Sequence, residues 1–468
     1  MILKKVISGL SNFSSTGSTS KTILGISDDS RKVGKDFLFC AIKGFHSDGH
    51  SFINEALKKG AIAFVVEKDI LNLPRSICVI KVEDTREALG VVVSNFYGNP
   101  SKKLKVIGVT GTKGKTTTAH FIYQLLTKLG KRVGLVSSIS AKVGKKDFDT
   151  GFHVTNPDTV SLHSLLQKML KARCEYAVIE VSSHGIHQKR IAGVSFAISV
   201  LTNIAPEHLD YHKTFEVYRD VKLSFLKGSP TVVLNADDPN FNYLTGKTGV
   251  SQKKLFYSLH KDVDFNARIV PLSKKLKGDF NVLNCMAAVT VVNACGFDLK
   301  KINSVIPSLK LPEGRLEEIK NNMGFKIIVD FAHTPDSLDN ALRYLKKECR
   351  GRLIAVFGAA GERDPFKRPV MGKIASELAD SVVLTAEDPR SEDVNEIMSQ
   401  IKTGVAKKNL SKVVEIADRS EAIKFALGKA EKGDTVGFFG KGHEKSMNLD
   451  GKTEVPWSDK EMIMKILK

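Results

Sequence analysis

Short apolar runs recur along the chain, separated by segments in which apolar residues return every three or four positions. The segments with this helical period include residues 52–59, 122–129 and 216–226. Strands buried on both faces read as continuous apolar runs, and parallel strands need crossover helices, so this alternation predicts an α/β fold with parallel sheets. The runs that we predict as strands are residues 37–42, 61–66, 77–82, 106–109, 176–181, 197–202, 231–235, 326–330, 352–357, 381–385 and 435–439.

The length of the chain and two turn-rich segments divide the sequence into three predicted domains. A chain of 468 residues is longer than one ordinary core requires and suits about three domains. The segment Y-G-N-P-S at 97–101 marks the first boundary, and P-E-G-R at 312–315 marks the second. We therefore predict a small N-terminal α/β domain at 1–98, a central parallel sheet with helices at 99–311, and a C-terminal Rossmann-like α/β domain at 312–468.

The most informative stretch is T-G-T-K-G-K-T-T-T at 110–118, which joins a predicted strand to a predicted helix. Glycines let backbone N–H groups close around phosphate oxygens, and the helix N-terminus adds partial positive charge. Lys115 would neutralise the outer phosphates, and Thr116 would offer its hydroxyl to Mg²⁺. Val109 stands where a strict P-loop has glycine, so the loop is a shorter form. The pattern predicts that the central sheet is a P-loop sheet that holds a nucleoside triphosphate.

The composition favours a globular protein of the cytoplasm without nucleic-acid or membrane partners. The formal net charge is +20, from 71 Lys and Arg against 51 Asp and Glu, but the lysines are spread through every region. Such a spread is typical of solvated surfaces. The six cysteines are scattered without a C-x-x-C pair, as expected in a reducing compartment. No apolar run of about 18 residues and no signal-peptide core is found, so we expect no membrane insertion.

Polar residues after two further predicted strands are candidates to act with the loop. Glu180 ends an apolar strand, and a carboxylate there, next to a P-loop strand, is placed to hold Mg²⁺. The segment E-H-L-D-Y-H at 207–212 also follows a strand, and it either binds a metal or fills a polar turn. Lys222 lies on the predicted helix 216–226, where the pattern alone indicates a solvated surface charge.

Taken in order, these motifs resemble those of the Mur ligase family of ATP-dependent amide-forming enzymes. The later motifs resemble in particular the branch that adds the third residue of the peptidoglycan stem peptide. The resemblance covers nearly the whole chain. The matching segments are S-D-D-S-R at 27–31, the loop at 110–118, E-V-S-S-H-G at 180–185, H-L-D-Y-H at 208–212, Y-x-x-x-K at 218–222, F-N-V-L-N at 280–284, G-R-L-E at 314–317, D-F-A-H-T-P-D at 330–336 and G-K-G-H-E at 440–444.

The resemblance implies an ATP-dependent acid–amino-acid ligase of peptidoglycan biosynthesis that releases ADP and phosphate. ATP would convert a carboxylate of UDP-N-acetylmuramoyl-L-alanyl-D-glutamate, the UDP-muramyl dipeptide, into an acyl phosphate, and a free diamino acid would attack it. The implied cofactors are ATP and Mg²⁺, with a CO₂-derived carbamate on Lys222 that turns a cation into an oxygen ligand. We expect the enzyme to be a monomer.

The resemblance also assigns roles to individual residues. Lys115, Lys222 and His208 would be catalytic. The magnesium ligands would be Thr116, Glu180, His208 and carbamylated Lys222. The expected ATP contacts are Gly111, Thr112, Lys113, Gly114, Lys115, Thr116, Thr117, Asn281, Asn284, Arg315, Asp330 and His333. The expected contacts with the UDP substrate are Ser30, Thr155, Asn156, Ser182, Gln188 and Arg190.

Two positions depart from the family pattern. Asn156 stands where the family commonly has threonine, so it keeps donor and acceptor capacity but loses the branched hydroxyl. E-D-P-R at 387–390 replaces the D-N-P-R of enzymes that add diaminopimelate. The two acids of this segment could attract the ammonium group that diaminopimelate and lysine share. The residues expected to contact the amino acid are Arg363, Glu387, Asp388, Pro389, Arg390, Gly440 and Glu444.

We favour meso-diaminopimelate as the added amino acid, with L-lysine as the alternative. Diaminopimelate carries a second carboxylate, which an arginine fork binds well, and Arg390 has an obvious role only with that group. Another ligase of this type, such as folylpolyglutamate synthetase, is a further alternative, but the D-S-R turn at 29–31 and the two C-terminal motifs speak against it. A nucleotide-dependent nucleic-acid-binding protein is the alternative from another class, suggested by the net charge and the loop.

Overall fold

The computed structural model describes residues 1–44, 47–148, 155–270 and 276–468. In these ranges the strands form three sheets and a short hairpin, and most neighbouring strands are parallel. The predicted α/β class is therefore confirmed, and the predicted strands coincide with observed ones to within two residues at each end. No helix within the described ranges is long and apolar enough to cross a membrane.

The chain separates into two compact units. The first unit contains the N-terminal and central sheets. The second contains the C-terminal sheet together with His208–Lys213 and, among the described residues, 276–284, which include the start of the helix that begins at Asp279. The proposed boundaries at residues 98 and 311 remain predictions.

The N-terminal sheet has the strand order β1-β5-β4-β3-β2, in which β1 alone runs antiparallel to its neighbour. Its strands are β1 Ser14–Thr16, β2 Gly25–Ser27, β3 Phe37–Cys40, β4 Ala61–Val66 and β5 Cys78–Lys81. Apolar residues of both sheet faces are buried, which agrees with the continuous apolar runs of the sequence. The accompanying helices are α1 Leu3–Val6, α2 Ile53–Lys58 and α3 Thr85–Phe96.

The central sheet has the order β14-β13-β12-β11-β6-β10-β7-β8-β9, and only β8 and β9 run antiparallel to their neighbours. Its strands are β6 Lys105–Thr110, β7 Val133–Val136, β8 Ala141–Val143, β9 Lys146–Phe148, β10 Tyr176–Glu180, β11 Ile198–Leu201, β12 Thr231–Asn235, β13 Lys253–Ser258 and β14 Phe265–Asn266. Its helices are α4 Lys115–Lys128, α5 Thr159–Lys171, α6 Ser183–His187, α7 Leu209–His212, α8 Phe215–Lys227, α9 Phe241–Lys247, α10 Asp279–Ala294 and α11 Leu299–Val305.

The order of the central strands explains why distant sequence motifs meet. Strand β6 pairs in parallel with β10 on one side and β11 on the other. The carboxyl ends of parallel strands lie at one edge of a sheet, and ligands of open α/β sheets bind there. The segments that follow β6, β10 and β11 begin at Gly111, Val181 and Thr202, so the phosphate loop, Glu180 and the segment after β11 share one edge.

The C-terminal sheet has the order β15-β16-β20-β17-β18-β19, with β15 antiparallel at its edge. Its strands are β15 Glu317–Ile319, β16 Lys326–Asp330, β17 Leu353–Phe357, β18 Ser381–Leu384, β19 Val413–Glu415 and β20 Thr435–Phe439, and β21 Ser446–Asn448 and β22 Glu454–Pro456 form the hairpin. Its helices are α12 Pro335–Glu348, α13 Lys367–Leu378, α14 Val394–Lys402, α15 Arg419–Lys429 and α16 Asp459–Ile466. Two apolar clusters, one on each face, bury this sheet.

Candidate active site

The phosphate loop is a tight turn between β6 and α4. Gly111 has φ +151°, and a Cβ at this position would lie 1.9 Å from Thr202 Oγ1, so no larger residue fits. Gly114 has φ +80° and directly precedes the helix, whose first residue is Lys115. Asn203 stabilises the conformation of the loop, because its side-chain oxygen accepts a hydrogen bond from the Lys113 N–H at 3.0 Å. The loop therefore has the strained glycine geometry that a phosphate-binding turn requires.

The side chain of Lys115 lies against the phosphate loop that directly precedes it in the chain. Its ammonium donates to the carbonyls of Gly111 at 3.0 Å and Thr112 at 2.9 Å. A positive charge is thus held at the N-terminal end of α4, where the helix dipole has the same sign. Both features attract an anionic group to this end of the sheet.

Glu180 and Thr116 are in direct contact at the same edge. The Thr116 hydroxyl donates to Glu180 Oε1 at 3.0 Å, and the backbone N–H of Ser138 donates to Glu180 Oε2 at 3.0 Å. Glu180 is 2 % exposed. A carboxylate and a hydroxyl held side by side, next to a phosphate loop, suit a magnesium ion that is also coordinated by nucleotide oxygens.

Lys222 is not the surface charge that its helical pattern indicated. It is 1 % exposed, its amine donates to Gly111 O at 2.8 Å, and its nitrogen lies 4.8 Å from the centre of the Tyr218 ring. Burial lowers the pKa of Lys222 well below its usual range, and the neighbouring charge of Lys115 acts in the same direction. Because β6 and α8 bring it beneath the phosphate loop, the pattern-based expectation of exposure was wrong.

Tyr218 holds the loop from the same face of α8. Its hydroxyl lies 3.0 Å from the Thr112 hydroxyl, which also accepts the backbone N–H of Ala205 at 2.9 Å. Residues four apart on a helix share a face, so Tyr218 and Lys222 contact adjacent loop residues.

Other predicted ligands of ATP and metal lie in the second compact unit. There the Arg315 guanidinium lies 4.8 Å from the centre of the Phe331 ring, and His333 Nδ1 donates to Phe331 O at 2.8 Å. Burial raises the pKa of Asp330, which the positive Arg315 opposes. These three predicted ATP contacts are therefore neighbours, and so are Asn281 and Asn284, joined by a hydrogen bond of 3.3 Å.

His208 is an exposed residue with φ +56° at the start of α7. It belongs to the second compact unit. Its assignment as a magnesium ligand and catalytic residue stays a prediction.

A polar cavity of about 260 Å³ lies where the N-terminal and central sheets meet. Two of the predicted UDP-substrate contacts, Gln188 and Arg190, line it together with Asp28, Arg86 and Asp158. Burial and the nearby Asp158 raise the pKa of Asp28. Ser30 lies nearby in the chain, but its hydroxyl donates to Glu55 at 2.9 Å and it is 7 % exposed.

The remaining predicted UDP-substrate contacts lie at the carboxyl end of β10. Ser182 caps α6 by accepting the Gly185 N–H at 3.0 Å. Asn156 is buried beside it with its side chain bonded to protein groups, and Thr155 precedes it in the chain.

Arg363 and Arg390 lie in turns that are bonded to each other. The Gly361 N–H donates to Asp388 O at 2.8 Å, and a Cβ on Gly361 would lie 1.9 Å from Pro389 O. Partial removal from solvent and the positive charge of Arg390 lower the pKa of Arg363. Asp210 and Glu362 act in the opposite direction. The charges of the two arginines thus affect each other, and an anionic ligand would be attracted by both.

The acidic pair at 387–388 is less negative than its sequence indicates. Lys441 is fully buried, and its ammonium contacts Asp388 at 2.9 Å and Glu444 at 2.6 Å. Burial raises the pKa of Glu387 to about 7, although Lys367 opposes the shift. Glu387 Oε2 has no hydrogen-bond partner within the described part of the chain. A strong attraction of these acids for the ammonium group of the amino acid is therefore not supported.

Three further residues support the site but were not among the predicted ones. Ser138 holds Glu180, Lys441 neutralises Asp388, and Arg419 forms a buried ion pair with Asp459 at 2.6 Å. The G-K-G-H-E motif contained a signal for Lys441. Neither Ser138 nor Arg419 has a distinguishing sequence signal, because their contacts depend on strands and helices far apart in the chain.

The raised pKa of Glu387 makes a stability difference between wild type and Glu387→Gln depend on pH. Its pKa lies near 4.5 when unfolded and near 7 when folded, so the folded state binds more protons between these values and loses stability as pH rises through them. We expect Glu387→Gln to gain up to about 3 kcal/mol in the free energy of unfolding, relative to wild type, on going from pH 5 to pH 8. Urea unfolding of both proteins at each pH measures this.

Glu396→Gln, at an exposed glutamate of the same unit, is the matched control for this measurement. Its unfolding free energy should follow that of the wild type at every pH. Parallel curves for Glu387→Gln and wild type would contradict the pKa of Glu387.

Three protein-family models match this chain in succession. They are described as Mur ligase family, catalytic domain, over residues 22–97; Mur ligase middle domain, over 109–292; and Mur ligase, glutamate ligase domain, over 314–442. The matches follow the order of the three sheets and cover most of the chain.

Full-length relatives agree with the family models. A protein from Parabacteroides distasonis, named UDP-N-acetylmuramoyl-L-alanyl-D-glutamate--2,6-diaminopimelate ligase, is 38 % identical over 100 % of this chain and 99 % of its own length. A solved structure of a ligase with the same name has a TM-score of 0.68 at 28 % identity, covering 100 % of this chain and 98 % of that one. A MurF ligase from Thermotoga maritima in complex with ADP has a TM-score of 0.62 at 21 % identity, covering 94 % and 96 % of the two chains, and shares the fold. On this identity and coverage, the chain belongs to the Mur ligase family.

Proposed function

We propose that this protein is an ATP-dependent ligase that joins meso-diaminopimelate to UDP-N-acetylmuramoyl-L-alanyl-D-glutamate in peptidoglycan synthesis. The observation that carries the proposal is the meeting of Lys115, Thr116, Glu180 and Lys222 around one phosphate loop. The names of full-length relatives supply the substrates. The six cysteines are unpaired, which supports the cytoplasm as the compartment.

The phosphate loop is suited to bring two anions together. Formation of an acyl phosphate places a carboxylate against the γ-phosphate of ATP, and their repulsion must be offset. Lys115 supplies a positive charge at the loop, and the N–H groups at the start of α4 supply partial positive charge. When the amine then attacks the acyl phosphate, the same groups stabilise the phosphate that leaves.

A magnesium ion fits the contact between Thr116 and Glu180. No group of three or more His, Cys, Asp or Glu side chains in the described ranges is arranged to hold a metal. Mg²⁺ typically takes one or two carboxylates and completes its coordination shell with substrate phosphates and water. One carboxylate and one hydroxyl are therefore suitable protein ligands for it. When bound, the ion would neutralise charge on the transferred phosphoryl group.

The surroundings of Lys222 suit the carbamate that the family resemblance implies. Carbamate formation needs an uncharged amine as the nucleophile, and burial favours that form of Lys222. Its nitrogen would bond to the carbon of CO₂ and lose a proton, leaving a group with carboxylate-like oxygens. Such a group at Lys222 would be a second negatively charged ligand for Mg²⁺, in addition to Glu180.

Diaminopimelate is favoured over lysine by the pair of arginines. Arg363 and Arg390 lie close enough for the charge of one to lower the pKa of the other. The distal carboxylate of diaminopimelate would relieve this repulsion, whereas the side chain of lysine would add a third positive charge.

The test of the proposed function is ADP release with purified protein, Mg²⁺, ATP and the UDP-muramyl dipeptide, with each candidate amine in turn. We expect turnover with meso-diaminopimelate and much less with L-lysine. Higher kcat/KM with L-lysine would overturn the amine assignment. Turnover with a folate and glutamate in place of these substrates would overturn the proposed substrate pair.

Arg390→Ala is expected to impair diaminopimelate addition selectively. Loss of one partner of a partly desolvated charge pair costs about 2–5 kcal/mol, which is roughly a 30- to 5,000-fold drop in kcat/KM. Any residual activity with L-lysine should change far less, because lysine has no distal carboxylate. Steady-state ADP release with both amines measures the difference.

Arg350→Ala, at an exposed arginine of the same unit, is the control and should leave both rates unchanged. An equal loss with diaminopimelate and lysine in Arg390→Ala would indicate that the arginine supports the fold of the pocket.

A further inference from the structure

Asn156 joins the end of strand β10 to the start of helix α6. Its Nδ2 donates to Glu180 O at 2.7 Å, and its Oδ1 accepts the Ser182 N–H at 2.9 Å and the Ser182 hydroxyl at 2.9 Å. Asn156 is 1 % exposed. The whole amide group is therefore engaged by the segment that carries Glu180 and Ser182, and no polar atom of the side chain faces open solvent.

The backbone of Asn156 extends these contacts to the UDP-substrate side. Its carbonyl accepts from Arg190 Nη1 at 3.0 Å, while Arg190 Nε donates to Gln188 Oε1 at 2.9 Å. Gln188 and Arg190 both line the polar cavity described above. One buried residue thus connects the backbone of Glu180, whose carboxylate contacts Thr116, with three of the predicted UDP-substrate contacts.

Gly185 makes room for this arrangement. A Cβ on Gly185 would lie 2.2 Å from Asn156 Oδ1 and 2.7 Å from its Cγ, but 3.2 Å from its Cβ. The clash would therefore be with the amide group itself. Asparagine at 156 and the absence of a side chain at 185 depend on each other, and alanine at 156, which has no γ atom, would relieve the restriction.

We propose that Asn156 is a positioning residue that couples the magnesium side of the site to the UDP-substrate side, with Gly185 as its steric complement. The inference rests on the proposed function. In it Asn156 acts through Glu180, Ser182 and Arg190, whereas the family resemblance implied a direct contact with the substrate. A side chain with one hydroxyl cannot donate to Glu180 O and also accept both hydrogen bonds from Ser182 in the same geometry.

The test compares wild type, Asn156→Ser, Asn156→Ala, Gly185→Ala and the double variant Asn156→Ala/Gly185→Ala. Each is assayed by ADP release for its KM for the UDP-muramyl dipeptide and for the Mg²⁺ concentration at half-maximal rate. We expect Asn156→Ser to raise both by roughly three- to tenfold, because net hydrogen-bond losses of this kind are modest. The KM for diaminopimelate should stay within about twofold, as expected for sites that are not coupled.

The double variant decides the steric part of the proposal. We expect Gly185→Ala to be impaired more than Asn156→Ala, and the double variant to recover to the level of Asn156→Ala. If Gly185→Ala alone does not fold, a folded and active double variant is the same result. Additive losses in the double variant would overturn the pairing of Asn156 with Gly185.

Other outcomes distinguish the alternatives. A rise in the KM for the dipeptide with an unchanged Mg²⁺ requirement would indicate direct substrate contact and overturn the positioning role. A lowered melting temperature with unchanged kinetic constants would indicate a structural role only and also overturn it. Asn409→Ser, at a buried asparagine of the second unit, is the matched control and should change neither constant. Inactive wild-type protein would instead contradict the proposed function.

Discussion

Lys222→Ala is expected to be folded and almost inactive. The Gly111 carbonyl that Lys222 contacts also accepts from Lys115 at 3.0 Å, so the loop keeps a donor when Lys222 is lost. In the proposed mechanism, however, the reaction would lose the side chain that would carry the carbamate. We expect kcat for ADP release to fall by about a hundredfold or more, the range for removal of a group that stabilises transferred charge.

Short-chain acids provide a second measurement on the same variant. Formate or acetate should partly restore Lys222→Ala, since either can supply the missing oxygen ligand in the space left by the side chain. Lys227→Ala, at an exposed lysine of the same helix, should keep wild-type activity and show no response to the acids. Full activity of Lys222→Ala without added acid would refute the role of Lys222.

Lys115→Ala is expected to remove nearly all ATP-dependent ligation while leaving the fold intact. Lys115 is not part of an apolar cluster, and its ammonium donates to two carbonyls of its own loop, those of Gly111 and Thr112. Without the positive charge of Lys115, the repulsion between the carboxylate and the γ-phosphate of ATP is offset less. A reduction of about a thousandfold in kcat is expected.

Thermal unfolding and single-turnover ADP release together check this expectation. The melting temperature of Lys115→Ala should lie close to that of wild type, and Lys128→Ala, an exposed lysine at the end of the same helix, should match wild type in both measurements. Near-normal turnover in a folded Lys115→Ala protein would contradict the assignment of the phosphate loop.

The local elements of this protein were predictable because their signals are local. Continuous apolar runs mark strands such as β4 and β20, which lie within the predicted bounds because both faces of each strand are buried. The phosphate loop was equally visible, since its glycines and lysine are adjacent in the chain. Glu180 followed from the rule that strand ends of a parallel sheet meet at one edge.

Burial and pairing of charges were decided by the tertiary structure. An amphipathic pattern places Lys222 on the outside of α8, yet the packing of that helix beneath the phosphate loop buries it. The pair at 387–388 reads as two negative charges, but Lys441 neutralises one, and desolvation favours the protonated form of the other. Electrostatic energy depends on distances and on solvent exposure, and neither is encoded in the spacing of residues along the chain.

The role of Asn156 shows most clearly which properties the sequence predicts and which depend on the tertiary structure. The sequence alone marked it as a departure from a familiar motif and suggested a weakened substrate contact. In the structure its amide group spans two hydrogen-bonded segments and lies against Gly185, because β10, α6 and the segment before α5 converge at one point. The sequence by itself determined the fold class, the phosphate loop and the family. Only the tertiary structure decided which polar side chains are buried and which other residues they hold in place, since that depends on contacts between segments far apart in the chain.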